Sequence, residues 1–189
     1  KENFMIASKH RLLFGVGLAA FILTGCASSD VVSYKVFGTW SSPLRHSVYI
    51  QAAANRDLKT TIIGNPFNAE KAVFDDRVTE LMRGNDRGVN GNFTTTPGST
   101  ARAGYQLVMV FNPPANISPA QMCGDLSGVT PEKSEVLSVM LAFCDPEPVT
   151  VTFASAKSAK SVTDPQFVQM IQNVTYEMVP HSKLASGEW

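Results

Sequence analysis

The sequence predicts an α+β fold, a two-layer sandwich in which a mainly antiparallel sheet carries two helices on one face. Two observations point to it. Short runs rich in β-branched and aromatic residues recur between Ser33 and Phe153, and two amphipathic stretches begin near Asn68 and Asp164. The order is therefore strands, a helix, several strands and a terminal helix.

SYKVFGTW at Ser33 to Trp40 and SVYIQ at Ser47 to Gln51 alternate roughly and are expected as strands. LKTTII at Leu58 to Ile63 is a third, stopped by Gly64, Asn65 and Pro66. Asn68 is the expected cap of a helix whose Phe74, Val78, Leu81 and Met82 share one face, with Gly84 near its end. Gly84 to Asn92 is so rich in glycine and asparagine that it predicts a loop, and a strand can begin at Asn92 before Pro97 and Gly98. GYQLVMVF at Gly104 to Phe111 is nearly continuous in apolar residues, the mark of a central strand buried on both faces. VLSVMLAF at Val136 to Phe143 and VTVTF at Val149 to Phe153, joined by the turn DPEP, predict a hairpin. Asn112 to Glu135, rich in proline, glycine and serine, is long for a connection in a compact domain. Asp164 as N-cap and Pro165 at the first helical position open the terminal helix, with Phe167, Ile171, Val174 and Met178 on one stripe and Pro180 as its stop. Gln166, Gln169, Gln172 and Asn173 give that helix an outer face almost without charge.

The amino-terminal segment has a different character. Lys9, His10 and Arg11 precede a run from Leu12 to Leu23 in which every residue is apolar or glycine. Crossing a bilayer takes about 20 apolar residues, so this shorter run suits the apolar core of a secretory signal. Residues 1–4 read as upstream translation and Met5 as the start. The run ends in Leu23, Thr24, Gly25 and Cys26, which resembles the lipobox of bacterial lipoproteins. The resemblance implies diacylglycerol on the Cys26 sulfur, cleavage before Cys26 and acylation of the new amino terminus. Several acyl chains, each worth about 0.8 kcal/mol per buried methylene, would anchor the chain without spanning the membrane. Ala27 stands where an aspartate would favour inner-membrane retention, so the expected address is the periplasmic face of the outer membrane, with the inner membrane left open. The organisation is then a signal peptide over 1–25, a lipidated tether over 26–32, one α+β domain over 33–181 and a tail over 182–189. The element order also looks like that of several small envelope lipoproteins of unassigned function, a likeness that carries no site residues.

Removing residues 1–25 takes away Lys1, Lys9 and Arg11 against Glu2, which moves the balanced chain two charges to the acidic side. Without clustered lysine and arginine, neither nucleic acid nor a polybasic membrane patch is expected. With 44% apolar residues the remaining length suits a single packed domain. In the oxidising periplasm that the lipobox implies, Cys123 and Cys144 are expected to be bonded. The alternatives are two buried free thiols, or a metal pair, for which neither a CxxC nor a nearby histidine speaks.

No catalytic constellation, metal set or cofactor motif emerges. Beyond the signal the histidines are His46 and His181, with no GxSxG elbow. Asp75 and Asp76 are adjacent on the expected helix and diverge by about 100°, so they cannot face each other across a glycosidic bond. The loop from Asp86 through Asn90 and Asn92 offers oxygen ligands, but Gly88 replaces a ligand and Pro97 stands where a calcium loop needs glutamate. Its glycines are followed by no Lys-Ser or Lys-Thr, so they are no phosphate cradle. The reading is a lipid-anchored, non-enzymatic module that binds another envelope protein or the cell wall. The rival is a hydrolase or small-ligand binder whose site assembles from unconnected residues such as His46 and Asp57. A pocket holding a perturbed histidine would favour the rival, and a flat apolar patch the module.

Overall fold

The computed structural model describes residues 30–38 and 42–181, so the lipobox with Cys26, the residues 39–41 and the tail lie outside the described residues. The elements run β1 (Val31–Phe37), α1 (Pro43–Ala53), β2 (Asp57–Ile63), α2 (Lys71–Met82), β3 (Asn92–Thr94), β4 (Gln106–Phe111), α3 (Pro119–Cys123), β5 (Leu137–Asp145), β6 (Glu147–Ala156) and α4 (Pro165–Met178). One open sheet holds all the strands in the order β1-β6-β5-β4-β2-β3. β1, β6, β5 and β4 pair antiparallel, while β2 runs parallel to both β4 and β3. The fold is α+β, with a mainly antiparallel sheet and a short parallel flank.

β4 explains its apolar sequence directly. Leu107, Met109 and Phe111 alternate with Val108 and Val110, and both sets are buried because both faces of the strand are covered. On one face Val139, Leu141 and Phe143 of β5 join the first set beneath α2 and α4. Phe74, Phe111 and Phe167 knit these layers, with ring centroids 5.1 Å apart for Phe74 and Phe111 and 6.0 Å for Phe111 and Phe167. On the other face the long connection after β4 folds back, and its Ile117, Met122 and Val129 pack on Val108, Val110, Ala142 and Val151. A disulfide joins Cys123 of α3 to Cys144 of β5, with their Cα atoms 5.5 Å apart, and ties this excursion to the hairpin.

α2 and α4 share one face of the sheet, and two further helices were not foreseen: α1 on that same face and α3 on the other. Ser47 to Gln51, expected as a strand, lies inside α1. Ser42 caps it, its hydroxyl accepting from the Arg45 amide at 3.3 Å, Pro43 occupies the first turn, and Tyr49, Ala52 and Ala53 bury at helical spacing. Asn68 is not the cap of α2. Its φ of 52° places it in a left-handed turn, and Glu70 caps instead, its carboxylate accepting from the Ala72 and Val73 amides at 3.1 and 2.9 Å. β1 starts at Val31, two residues ahead of the expected strand.

Candidate functional site

Three places on the fold could carry function, and their polar groups separate them. The first is a groove of about 350 Å³ at the carboxyl ends of the parallel strands β2 and β4. Each strand ends in an Asn-Pro, Asn65-Pro66 and Asn112-Pro113. Gly64 sits at φ 88°, where an added Cβ would stand 3.1 Å from Phe111 Cβ and Pro131 Cγ, so the groove floor is closed tightly. The Asn65 amide donates to the Ala69 carbonyl at 2.6 Å and accepts from the Ala69 amide, and Asn112 Oδ1 accepts from the Ser138 amide at 2.9 Å. Glu132 Oε1 accepts from the Ala115 amide at 3.4 Å. These groups hold their own loops, and neither a histidine nor a cysteine lines the groove. Glu132, Lys133 and Ser134 also line it, and the Ser134 hydroxyl accepts from the Val136 amide at 3.2 Å.

The second place brings His46 and His181 together at the end of α4. His46 Nδ1 lies 2.8 Å from the Pro180 carbonyl oxygen, which can only accept, so Nδ1 carries the proton. Partial desolvation lowers the His181 pKa, and the positive charges of Arg87 and Lys35 add to this against Glu177. Arg87 Nε donates to the carbonyls of Tyr176 and Val179, each at 3.0 Å, while its guanidinium lies 3.6 Å from the Tyr176 ring centroid. The last carbonyls of a helix have no partner within it. Arg87 therefore caps the end of α4, while His46 holds the Pro180 carbonyl just beyond it.

Asp57, the other residue of the rival reading, stands elsewhere at the start of β2. Its Oδ1 accepts from Asn92 Nδ2 and its Oδ2 from the Gly98 amide, both at 2.7 Å, and the Asn92 bond first, then Gly98, holds its pKa below the usual carboxylate value. It staples the turn after β3 to β2. No contact among the described residues joins it to His46. Asp86 of the glycine-rich loop is fully buried, its Oδ2 accepting from the Gly91 amide at 2.6 Å, so the loop closes on itself. Among the described residues no three His, Cys, Asp or Glu side chains gather to hold a metal ion.

The third place is the outward face of β1. Residues paired across strands share a face, and the register sets Val32 opposite Ser155, Tyr34 opposite Phe153 and Phe37 opposite Val151. An irregularity between Lys35 and Phe37 leaves Val36 as the extra residue of a bulge. Val32, Tyr34, Val36 and Phe37 are 54%, 48%, 44% and 39% exposed, and the Tyr34 and Phe153 rings lie 5.1 Å apart. Ser33 and Lys35 face the other way, opposite Ala154 and Thr152 beneath α4. Val31, opposite Ala156, joins the core, but beyond it the strand is inverted: Ser33 and Lys35 face inward while Val32, Tyr34, Val36 and Phe37 face outward. Alternation alone shows two faces in YKVF and would put Tyr34 and Val36 inward.

No protein-family model, no curated protein and no solved structure matches this chain. No helix among the described residues is long and apolar enough to cross a membrane.

Proposed function

We propose that this chain is a lipid-anchored protein of the bacterial envelope, held at Cys26, whose folded part acts by contact and not by catalysis. The observation that carries this reading is the exposed apolar outward face of β1, which begins a few residues after the lipobox cysteine. Supporting it, His46 is engaged with the Pro180 carbonyl just past α4, the Asn65 and Asn112 amides of the groove bind their own loops, and neither a histidine nor a cysteine lines that groove. The disulfide between Cys123 and Cys144 suits an oxidising compartment. The outer membrane is the address that Ala27 favours. Crosslinking in intact cells followed by mass spectrometry tests the reading: one envelope component should be captured repeatedly at a single surface of the chain. A hydrolytic or ligand-binding activity of the purified protein that disappears in both His46→Ala and Asp57→Asn would contradict it.

A further inference from the structure

We infer that the outward face of β1, formed by Val32, Tyr34, Val36 and Phe37, rests on the lipid surface itself. The inference rests on the proposed anchor at Cys26 and names what that anchor brings the domain against. Four residues lie between Cys26 and Val31, five steps along the backbone. At about 3.4 Å for each extended residue, the tether can hold the start of β1 no farther than about 17 Å from the acylated sulfur. The strand nearest the membrane is also the strand whose pattern is inverted. Past Val31, which is buried, Ser33 and Lys35 turn toward α4, and Val32, Tyr34, Val36 and Phe37 turn to the opposite, exposed face. A strand in contact with water alone would be patterned the other way.

Among the described residues the neighbours leave most of this face open. α3 and the excursion after β4 cover Val108, Val110, Ala142 and Val151, and the Arg45 guanidinium lies 5.8 Å from the Phe37 ring centroid at its end, while Val32, Tyr34, Val36 and Phe37 stay substantially exposed. A second copy adding a strand along the edge is disfavoured by the bulge at Val36, which breaks the regular spacing of edge donors and acceptors. A face contact with lipid needs no such regularity. Tyr34 suits the level where an apolar ring meets polar headgroups.

The test imposes the tether chemically, so that it does not depend on whether cells acylate Cys26. With Cys123 and Cys144 bonded, Cys26 is the one free thiol of residues 26–189. That protein is coupled through Cys26 to a maleimide phospholipid in vesicles of phosphatidylethanolamine and phosphatidylglycerol. A benzophenone amino acid replaces Tyr34 or, as a control, Val73, which is 61% exposed on α2 across the sheet. After illumination, lipid adducts at position 34 should exceed those at position 73 at least fivefold, and Val32→Asp with Val36→Asp should erase the difference while the unfolding midpoint stays within the range of the wild type. Equal lipid adducts at both positions would overturn the inference. Protein-to-protein adducts dominating at position 34 would overturn it in favour of a second copy. Absence of acylation at Cys26 in cells would instead defeat the anchor and leave these vesicle results standing.

Discussion

Replacing Thr150 by valine probes how α4 is held on the sheet. Thr150 and Thr152 are fully buried on β6, and their hydroxyls donate to the carbonyls of Met178 at 2.9 Å and Val174 at 3.0 Å. The two bonds look alike but their acceptors differ. Val174 lies four residues inside α4, where its carbonyl also takes the helical bond from the Met178 amide. Met178 is the last residue of α4, so its carbonyl has no such partner and depends on Thr150. Thr152→Val should thus cost an ordinary hydrogen bond, about 0.5 to 1.5 kcal/mol, whereas Thr150→Val leaves a buried carbonyl unsatisfied and should cost about 1 to 3 kcal/mol. Valine keeps the volume and branching, so no cavity contributes. Urea unfolding at unchanged slope is the assay, and at this chain length each kcal/mol should lower Tm by about 2 to 4 °C. A Thr150→Val protein as stable as wild type, or less affected than Thr152→Val, would refute the reasoning.

Ile171→Ala, a truncation at a fully buried position of α4, should destabilise by about 2 to 5 kcal/mol in the same assay, and a loss under 1 kcal/mol would show that the helix is not packed as described. Replacing Cys123 and Cys144 together by alanine removes a crosslink across 21 residues and should cost about 3 kcal/mol, read as a lower urea midpoint; an unchanged midpoint would contradict it. Burial lowers the Lys35 pKa to about 8, opposed by the Glu177 charge and reinforced by Arg87 and Arg45. The unfolded lysine titrates near ~10.4, so the unfolded state binds more protons between these values and stability should rise with pH from about 8 to 10. Above about 10 Tyr49, whose pKa burial and then the Asp86 charge push up, works in the opposite direction because its unfolded form ionises first. Lys35→Met should flatten the rise between about pH 8 and 10, and an unchanged slope in that variant would contradict the assignment.

The central strands and the long helices were legible because their patterns are long and two-sided. Leu107 to Phe111 is apolar throughout, as a strand covered on both faces must be, and Phe167, Ile171, Val174 and Met178 keep one stripe over the whole of α4. The misses share a cause. Ser42-Pro43, Ser118-Pro119 and Asp164-Pro165 are the same signal, a capping oxygen before a proline in the first helical turn, and all three open helices. Only the third was followed by an apolar stripe long enough to recognise. α3 spans Pro119–Cys123, too short to show a period, and SVYIQ inside α1 fits two residues of alternation as well as one turn of helix. The threonines of VTVTF illustrate the other gap. Alternation marks Thr150 and Thr152 as one face, but only the position of α4 above them shows that their hydroxyls have buried carbonyls to meet. The outward apolar face of β1 was missed because alternation alone puts Tyr34 and Val36 inward, whereas the register turns Lys35 toward α4 and leaves them exposed.

Whether the chain is lipid-anchored turns on acylation of Cys26. Cells expressing the full chain are fed labelled palmitate, and the purified protein is followed by gel mobility and by mass spectrometry of its amino-terminal peptide. Label is expected in the wild type, with a processed form beginning at Cys26 that carries diacylglycerol on its sulfur, and both should be lost in Cys26→Ala. Equal palmitate incorporation in Cys26→Ala, or a wild-type chain that matures without lipid at Cys26, would contradict it.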